Sequence, residues 1–193
     1  MKKHWIRFLV TAALIAAMYT VLTVCLTPLS YGLVQCRLSE ALTILAAFTP
    51  AAVPGLTVGC ILSNLIGIGT GANIAGALDV LLGPLATGAA ALLSYRLRNV
   101  RAGGLPWLAA LPPVVLNMLL VGAMLAYEEA GASAAFGSVF LFNAATVGIG
   151  EAIDCYGLGM LLLYALEKSR FFQNRRRMTE ISTGSGAKSG ENT

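Results

Sequence analysis

The chain has 193 residues, enough for one domain. Of these, 57% are hydrophobic and only 11% are charged, against about 25% charged in a typical soluble domain, so lipid must solvate much of the surface and a water-soluble fold is excluded. The net charge of +4 is carried by the two ends and one internal loop, a pattern of membrane orientation and not of nucleic-acid binding. A span needs about 20 mostly apolar residues. The first is expected at Phe8 to Leu26, stopped by Pro28. Lys2, Lys3 and Arg7 ahead of it resemble a secretory signal, and Leu22-Thr23-Val24-Cys25 a lipoprotein box. The apolar run is long enough to cross, however, and further spans follow. The second span, Leu38 to Phe48, is short and is entered through Arg37 and Glu40. The third runs from Ala51 to Ile68 behind Pro50 and Pro54, and the fourth from Leu78 to Leu97, before a loop with Arg96, Arg98 and Arg101. The fifth is Trp107 to Tyr127, closed by Glu128 and Glu129, and the sixth Phe142 to Leu166.

The expected architecture is therefore all-α, an integral membrane protein with six transmembrane helices and both termini cytoplasmic. Residues 1–171 form the transmembrane domain and 172–193 a disordered polar tail. With both ends inside, every one of the 13 Lys and Arg residues except Arg37 is cytoplasmic, as the positive-inside rule requires. An odd number of spans would put one basic end outside.

Polar groups within the spans are costly unless paired or facing a cavity, so each is a functional candidate. They are Arg37, Glu40, Asp79, Glu151 and Asp154, with the amides Asn64 and Asn117. At about 1.5 Å per residue, all seven fall in the outer half or near the middle. The inner halves carry hydroxyls only, such as Thr57, Thr87 and Ser94. A through-pore needs polar lining at both depths; a pocket open to the outside fits capture of an external solute. One Arg against four carboxylates favours neutralised acids or a ligand with donors or positive charge. Each residue also has a structural role open to it. Arg37 and Glu40, three apart, can pair. Asp79 can cap a helix, and Asn64 and Asn117 can join helices. Glu151, deep among Gly148, Gly150 and Ala152, is hardest to explain structurally, and Asp154 shares its face.

Four cysteines, Cys25, Cys36, Cys60 and Cys155, show no metal-ligand spacing and read as packing residues, and His4 is the only histidine. The chain has no P-loop lysine motif and no hydrolase or metalloprotease motif. No metal or cofactor is expected. Two faces of small residues stand out: Ala12, Ala13, Ala16 and Ala17 in the first span, and Gly55 with Gly59 in the third. Such faces allow close helix approach, within the chain or to a membrane partner.

Several stretches resemble the QueT family of substrate-binding (S) components of energy-coupling factor (ECF) transporters, specific for queuosine precursors. They are Ser30-Tyr-Gly-Leu-Val-Gln-Cys-Arg-Leu-Ser-Glu-Ala-Leu42, Pro50-Ala-Ala-Val-Pro-Gly-Leu56, Leu111-Pro-Pro-Val-Val-Leu-Asn117 and Val147-Gly-Ile-Gly-Glu151 onward to Tyr156. The resemblance covers residues 8–168. Cys36 departs from an expected aromatic, and Gly83-Pro84 from Gly-Ser. The resemblance implies an S-component-like six-helix bundle in a bacterial cell membrane. It implies capture of a 7-deazaguanine from outside and delivery by toppling within the membrane. It also implies partners, a transmembrane coupling subunit and two cytoplasmic ATPases, with Ala12, Ala13, Ala16 and Ala17 contacting the coupling subunit. The protein itself is then no enzyme. A deazaguanine offers N1–H and a 2-amino group to one carboxylate, assigned first to Glu151 and second to Glu40. Arg37 or Asn117 would meet the 6-oxo group, and Tyr31 would stack as a lid. Gln35, Asn64, Asp79 and Asp154 complete the expected site. The rival readings are a stand-alone proton-coupled transporter using Glu151 and Asp154, and a non-catalytic structural membrane subunit.

Overall fold

The apolar runs fold as helices; Pro112 and Pro113 stand at a helix start, whereas Pro84 lies inside its helix. The structure, a computed structural model, describes residues 2–30, 37–73, 76–102 and 105–168. Helix α1 (Lys2–Cys25) is followed by the short turn α2 (Thr27–Ser30) and a 3-10 helix, Leu38–Ala47. Then come α3 (Ala52–Gly69), α4 (Gly76–Leu97), a 3-10 turn (Trp107–Ala110) leading into α5 (Leu111–Ala130), and α6 (Phe136–Ala152). A π-helical segment, Ile153–Gly159, carries α6 on into α7 (Met160–Lys168). Pro112 and Pro113 open α5, where their missing N–H groups leave no helical bond unmade. Gly131, at φ 57°, ends α5 in a conformation that other residues resist, and its N–H returns to the Tyr127 carbonyl.

Among the described residues five helical stretches are long and apolar enough to cross a membrane: Lys2–Cys25, Ala52–Gly69, Gly76–Leu97, Trp107–Ala130 and Phe136–Lys168. Large side chains such as Leu14, Leu81, Leu141 and Phe142 stand exposed along them, as a lipid-solvated surface requires. The expected second span differs. It is the ten-residue 3-10 helix, and seven of its residues are buried within the protein. Its apolar character serves protein packing more than lipid contact. The tighter winding also stretches it to about 20 Å, where an α-helix of the same residues reaches about 15 Å.

Contacts divide the chain into Met1–Met160 and Leu161–Thr193. Of the second unit, residues 161–168 are described; they complete α7, with the Lys168 ammonium 5.7 Å from the centre of the Tyr164 ring. In the first unit α1 packs on α3, α3 on α4, α4 on α5 and α5 on α6. Small residues set these approaches. A Cβ on Gly55 would stand 2.7 Å from the Ala12 carbonyl, and one on Gly59 would stand 2.8 Å from Tyr19 Cβ and 2.9 Å from the Ala16 carbonyl. A Cβ on Gly122 would meet Ala144 Cα at 2.9 Å, and one on Gly148 would meet Met118 Sδ at 3.0 Å. The 3-10 helix lies against α1, α4 and the π segment. At its closest point to the π segment, a Cβ on Gly159 would be 3.2 Å from the Ala41 carbonyl.

Candidate ligand-binding site

The 3-10 helix brings its polar residues onto three neighbours at once, and three connected networks result. The first surrounds Asp79, in the first turn of α4. Its Oδ2 is salt-bridged to Arg37 Nη2, with both side chains buried. The same oxygen accepts from Asn73 Nδ2 at 3.0 Å. Asn64 Nδ2 donates to the Asp79 carbonyl at 2.7 Å, tying α3 to the start of α4. Arg37 Nε reaches the Ser30 carbonyl at 3.5 Å, near the limit of a hydrogen bond. Three buried atoms here lack a hydrogen-bond partner: Asp79 Oδ1, Asn73 Oδ1 and Ser30 Oγ. A Cβ on Gly83 would sit 2.7 Å from Asp79 Oδ1 and 2.9 Å from Asn64 Nδ2, so this corner packs closely enough that only glycine fits without a shift.

The second network centres on Glu40. Its Oε1 accepts from the Tyr19 hydroxyl at 2.5 Å and the Thr87 hydroxyl at 2.7 Å, and its Oε2 from Thr43 at 3.0 Å. These donors come from α1, α4 and the 3-10 helix itself. A carboxylate has about four acceptor positions, so hydroxyls already occupy most of Glu40. Beside it, the Thr23 and Ser39 hydroxyls are hydrogen-bonded at 2.7 Å, a second bond between α1 and the 3-10 helix.

The third network holds Glu151, one residue before the end of α6. Asn117 of α5 donates to its Oε1 at 2.9 Å. Cys155 Sγ lies 3.8 Å from Oε2 and 3.7 Å from the Glu40 carbonyl. A thiol has one weak donor, so it serves one of these acceptors at a time. Glu151 thus retains more acceptor capacity than Glu40. Thr87 also reaches Cys60 Sγ at 3.7 Å, and Arg37 Nη1 reaches the same sulfur at 3.9 Å. The three networks therefore form one buried seam from Glu151 through Glu40 to Asp79.

Of the residues expected at the site, Arg37, Glu40, Asn64, Asp79, Asn117 and Glu151 join this seam, and Asp154 is buried in the adjoining π segment. Tyr31 and Gln35 lie outside the described residues, as do Cys36 and the tail from 172 onward. Arg37 and Glu40 belong to separate networks, because Arg37 precedes the 3-10 helix with non-helical dihedrals (φ −94°, ψ 88°) and so does not share a helical face with Glu40. The alanine face is divided. Ala16 is buried and Ala12 half-buried against α3, whereas Ala13 and Ala17 are exposed. Among the described residues no group of three or more His, Cys, Asp or Glu side chains is arranged to hold a metal.

Residues 9–168 match the model of the QueT transporter family. The chain belongs to that family. Over 89 aligned residues it is 37% identical to the queuosine precursor transporter QueT of Lactococcus lactis subsp. cremoris (strain MG1363). That alignment covers 45% of this chain and 48% of the relative, so the chain spans about half the length of the curated relative it matches. No solved structure matches the chain.

The seam of this QueT-family protein includes residues that the sequence did not single out as site residues. Tyr19 and Thr23 are ordinary members of an apolar span by composition. Thr87 counts by depth as an inner hydroxyl, yet it sits mid-way along α4 and bonds Glu40. Cys60 and Cys155, taken for packing, line the polar seam. Asn73, in the loop before α4, carried a signal only through its nearness in sequence to Asp79.

Proposed function

We propose that this QueT-family protein is the substrate-capture subunit of an ECF-type importer, binding a queuosine precursor of the 7-deazaguanine class in the seam between Glu151 and Asp79. The observation that carries this is the unequal use of two buried carboxylates: three hydroxyls occupy most of the acceptor positions of Glu40, while Glu151 keeps more of them open beside the Asn117 amide. A deazaguanine presents N1–H and a 2-amino group as a parallel donor pair, which one carboxylate accepts. Glu151 takes that pair, Asn117 orients the carboxylate, and Glu40 holds the wall together as a positioning residue. The similarity to the Lactococcus queuosine precursor transporter supports the same ligand class.

Both termini face the cytoplasm in this proposal, by the distribution of Lys and Arg. The ligand then enters from the external side, and partner ATPases supply the energy for toppling. The coupling subunit docks on the exposed Ala13 and Ala17 face. Beside that face a groove of about 250 Å³ runs between α1 and α3, lined by Phe8, Leu9 and Ala13 on one side and Pro54 and Val58 on the other.

Uptake of a labelled 7-deazaguanine tests the proposal in cells expressing this chain with and without the coupling subunit and ATPases. Uptake that requires all partners is expected. Uptake that continues without them and collapses with the proton gradient contradicts the importer assignment.

A further inference from the structure

We infer that Tyr19 and Thr23 are positioning residues that couple two sites: their hydroxyls tie the ligand wall to the helix facing the coupling subunit, so that occupancy of the ligand site changes the affinity for that partner. The inference rests on the importer reading above and adds to it the residues through which the two sites communicate.

Helix α1 has two distinct faces. Ala13 and Ala17 are exposed on one, whereas Ile15, Ala16, Tyr19 and Thr23 are buried on the other. At about 3.6 residues per turn, Ala17 and Tyr19 stand about 200° apart around the helix axis, so one helix presents opposite sides to the partner and to the seam. Close packing of the buried face on α3 is set by Gly55 and Gly59 and needs no hydroxyl. Yet the Tyr19 hydroxyl donates to Glu40 Oε1 at 2.5 Å, and one turn further the Thr23 and Ser39 hydroxyls are hydrogen-bonded at 2.7 Å. Two adjacent residues of the 3-10 helix are thereby held by two residues of α1. Hydrogen bonds are directional and apolar contact is not, so these ties fix the register of α1 on the 3-10 helix.

The same 3-10 helix meets the ligand carboxylate on another side. The Glu40 carbonyl lies 3.7 Å from Cys155 Sγ, which in turn lies 3.8 Å from Glu151 Oε2. The thiol has one proton for these two acceptors, so ligand donors that occupy Glu151 favour its bond to the Glu40 carbonyl. Glu40 therefore touches a group that answers to the ligand and, through Tyr19, the helix that carries the partner face. A shift of the 3-10 helix is passed to α1 as long as the two hydroxyl ties hold. Such coupling is reciprocal: the factor by which ligand changes partner affinity is the factor by which partner changes ligand affinity.

Reciprocity supplies the test. 7-Aminomethyl-7-deazaguanine is titrated calorimetrically into the purified full chain and into its purified complex with the coupling subunit and ATPases, for wild type, Tyr19→Phe and Thr23→Val. In wild type the affinities of the two preparations should differ by at least about fivefold, the lower range of allosteric coupling. In each variant they should converge to within about twofold of each other. A merely structural role predicts otherwise, because a damaged site loses affinity equally in both preparations and keeps the wild-type ratio. A wild-type ratio near one overturns the inference, as does a wild-type ratio retained in either variant; both results leave the importer assignment standing. Failure of wild type to form the complex, or uptake by the chain without its partners, removes that assignment itself, and the inference with it.

Discussion

Glu40 and Glu151 are both buried acids, but the groups around them set different tasks. Glu40 collects hydroxyls from Tyr19, Thr43 and Thr87, so its removal leaves several donors without an acceptor. A buried bond to a charged group contributes about 1.5–3 kcal/mol. Tyr19→Phe, which removes one such bond, should lower the melting temperature of the detergent-solubilised protein, and Glu40→Leu should lower it further. Thermal unfolding followed by circular dichroism checks both. Glu151 has fewer internal partners, so Glu151→Gln should cost little stability and appear in ligand affinity. The sequence made Glu151 legible because a carboxylate among glycines in a span has few structural explanations. It left Thr87 illegible, because a threonine hydroxyl in an apolar helix normally bonds its own backbone, as Thr23 does to the Tyr19 carbonyl at 2.9 Å, and it left Tyr19 illegible, because a lone tyrosine in a span reads as packing. Only the tertiary approach of the 3-10 helix turns such hydroxyls toward Glu40.

At the scale of elements, two departures from α-helical winding meet at the site. The 3-10 helix Leu38–Ala47 packs on the π segment Ile153–Gly159. One stretches its residues and the other widens its turn, and both geometries are common where helices carry functional groups. Neither was visible in the sequence. Ten residues, seven of them apolar and none proline or glycine, read equally as a short α-helical span, and nothing in Ile153–Gly159 announces an extra residue per turn. The close approach of α1 and α3 was visible, since Gly55 and Gly59 form a GxxxG face. Its consequence is measurable. Gly59→Leu forces side-chain atoms into Tyr19 and the Ala16 backbone and should destabilise by about 1–3 kcal/mol, the usual cost of overpacking. Gly69→Ala, where nothing lies within 4 Å of the added carbon, should be neutral. Paired melting curves of the two variants distinguish contact from composition. Gly83→Ala acts at the site itself, where it crowds Asp79 Oδ1 and Asn64, so ligand affinity should fall with it.

Across the whole molecule, the all-helical membrane architecture was readable from hydropathy and charge, because lipid tolerates few alternatives. The count was less exact. Among the described residues five stretches are long enough to span, and the sixth apolar run is the short 3-10 helix, buried mainly against its neighbours. Burial in protein and burial in lipid select the same apolar side chains, so composition could not tell them apart. The proposed orientation is tested by reporter fusions: alkaline phosphatase should be active when joined near Gly131 and inactive when joined after Lys168. The opposite pattern would reverse the orientation. The central claim concerns the carboxylate that reads the ligand. Binding of 7-aminomethyl-7-deazaguanine to purified wild type and Glu151→Gln tests it most directly. Loss of a charged, paired acceptor should weaken binding by about 10- to 100-fold, with the melting temperature of the unliganded protein little changed. Equal affinity of the two proteins for the deazaguanine would contradict it.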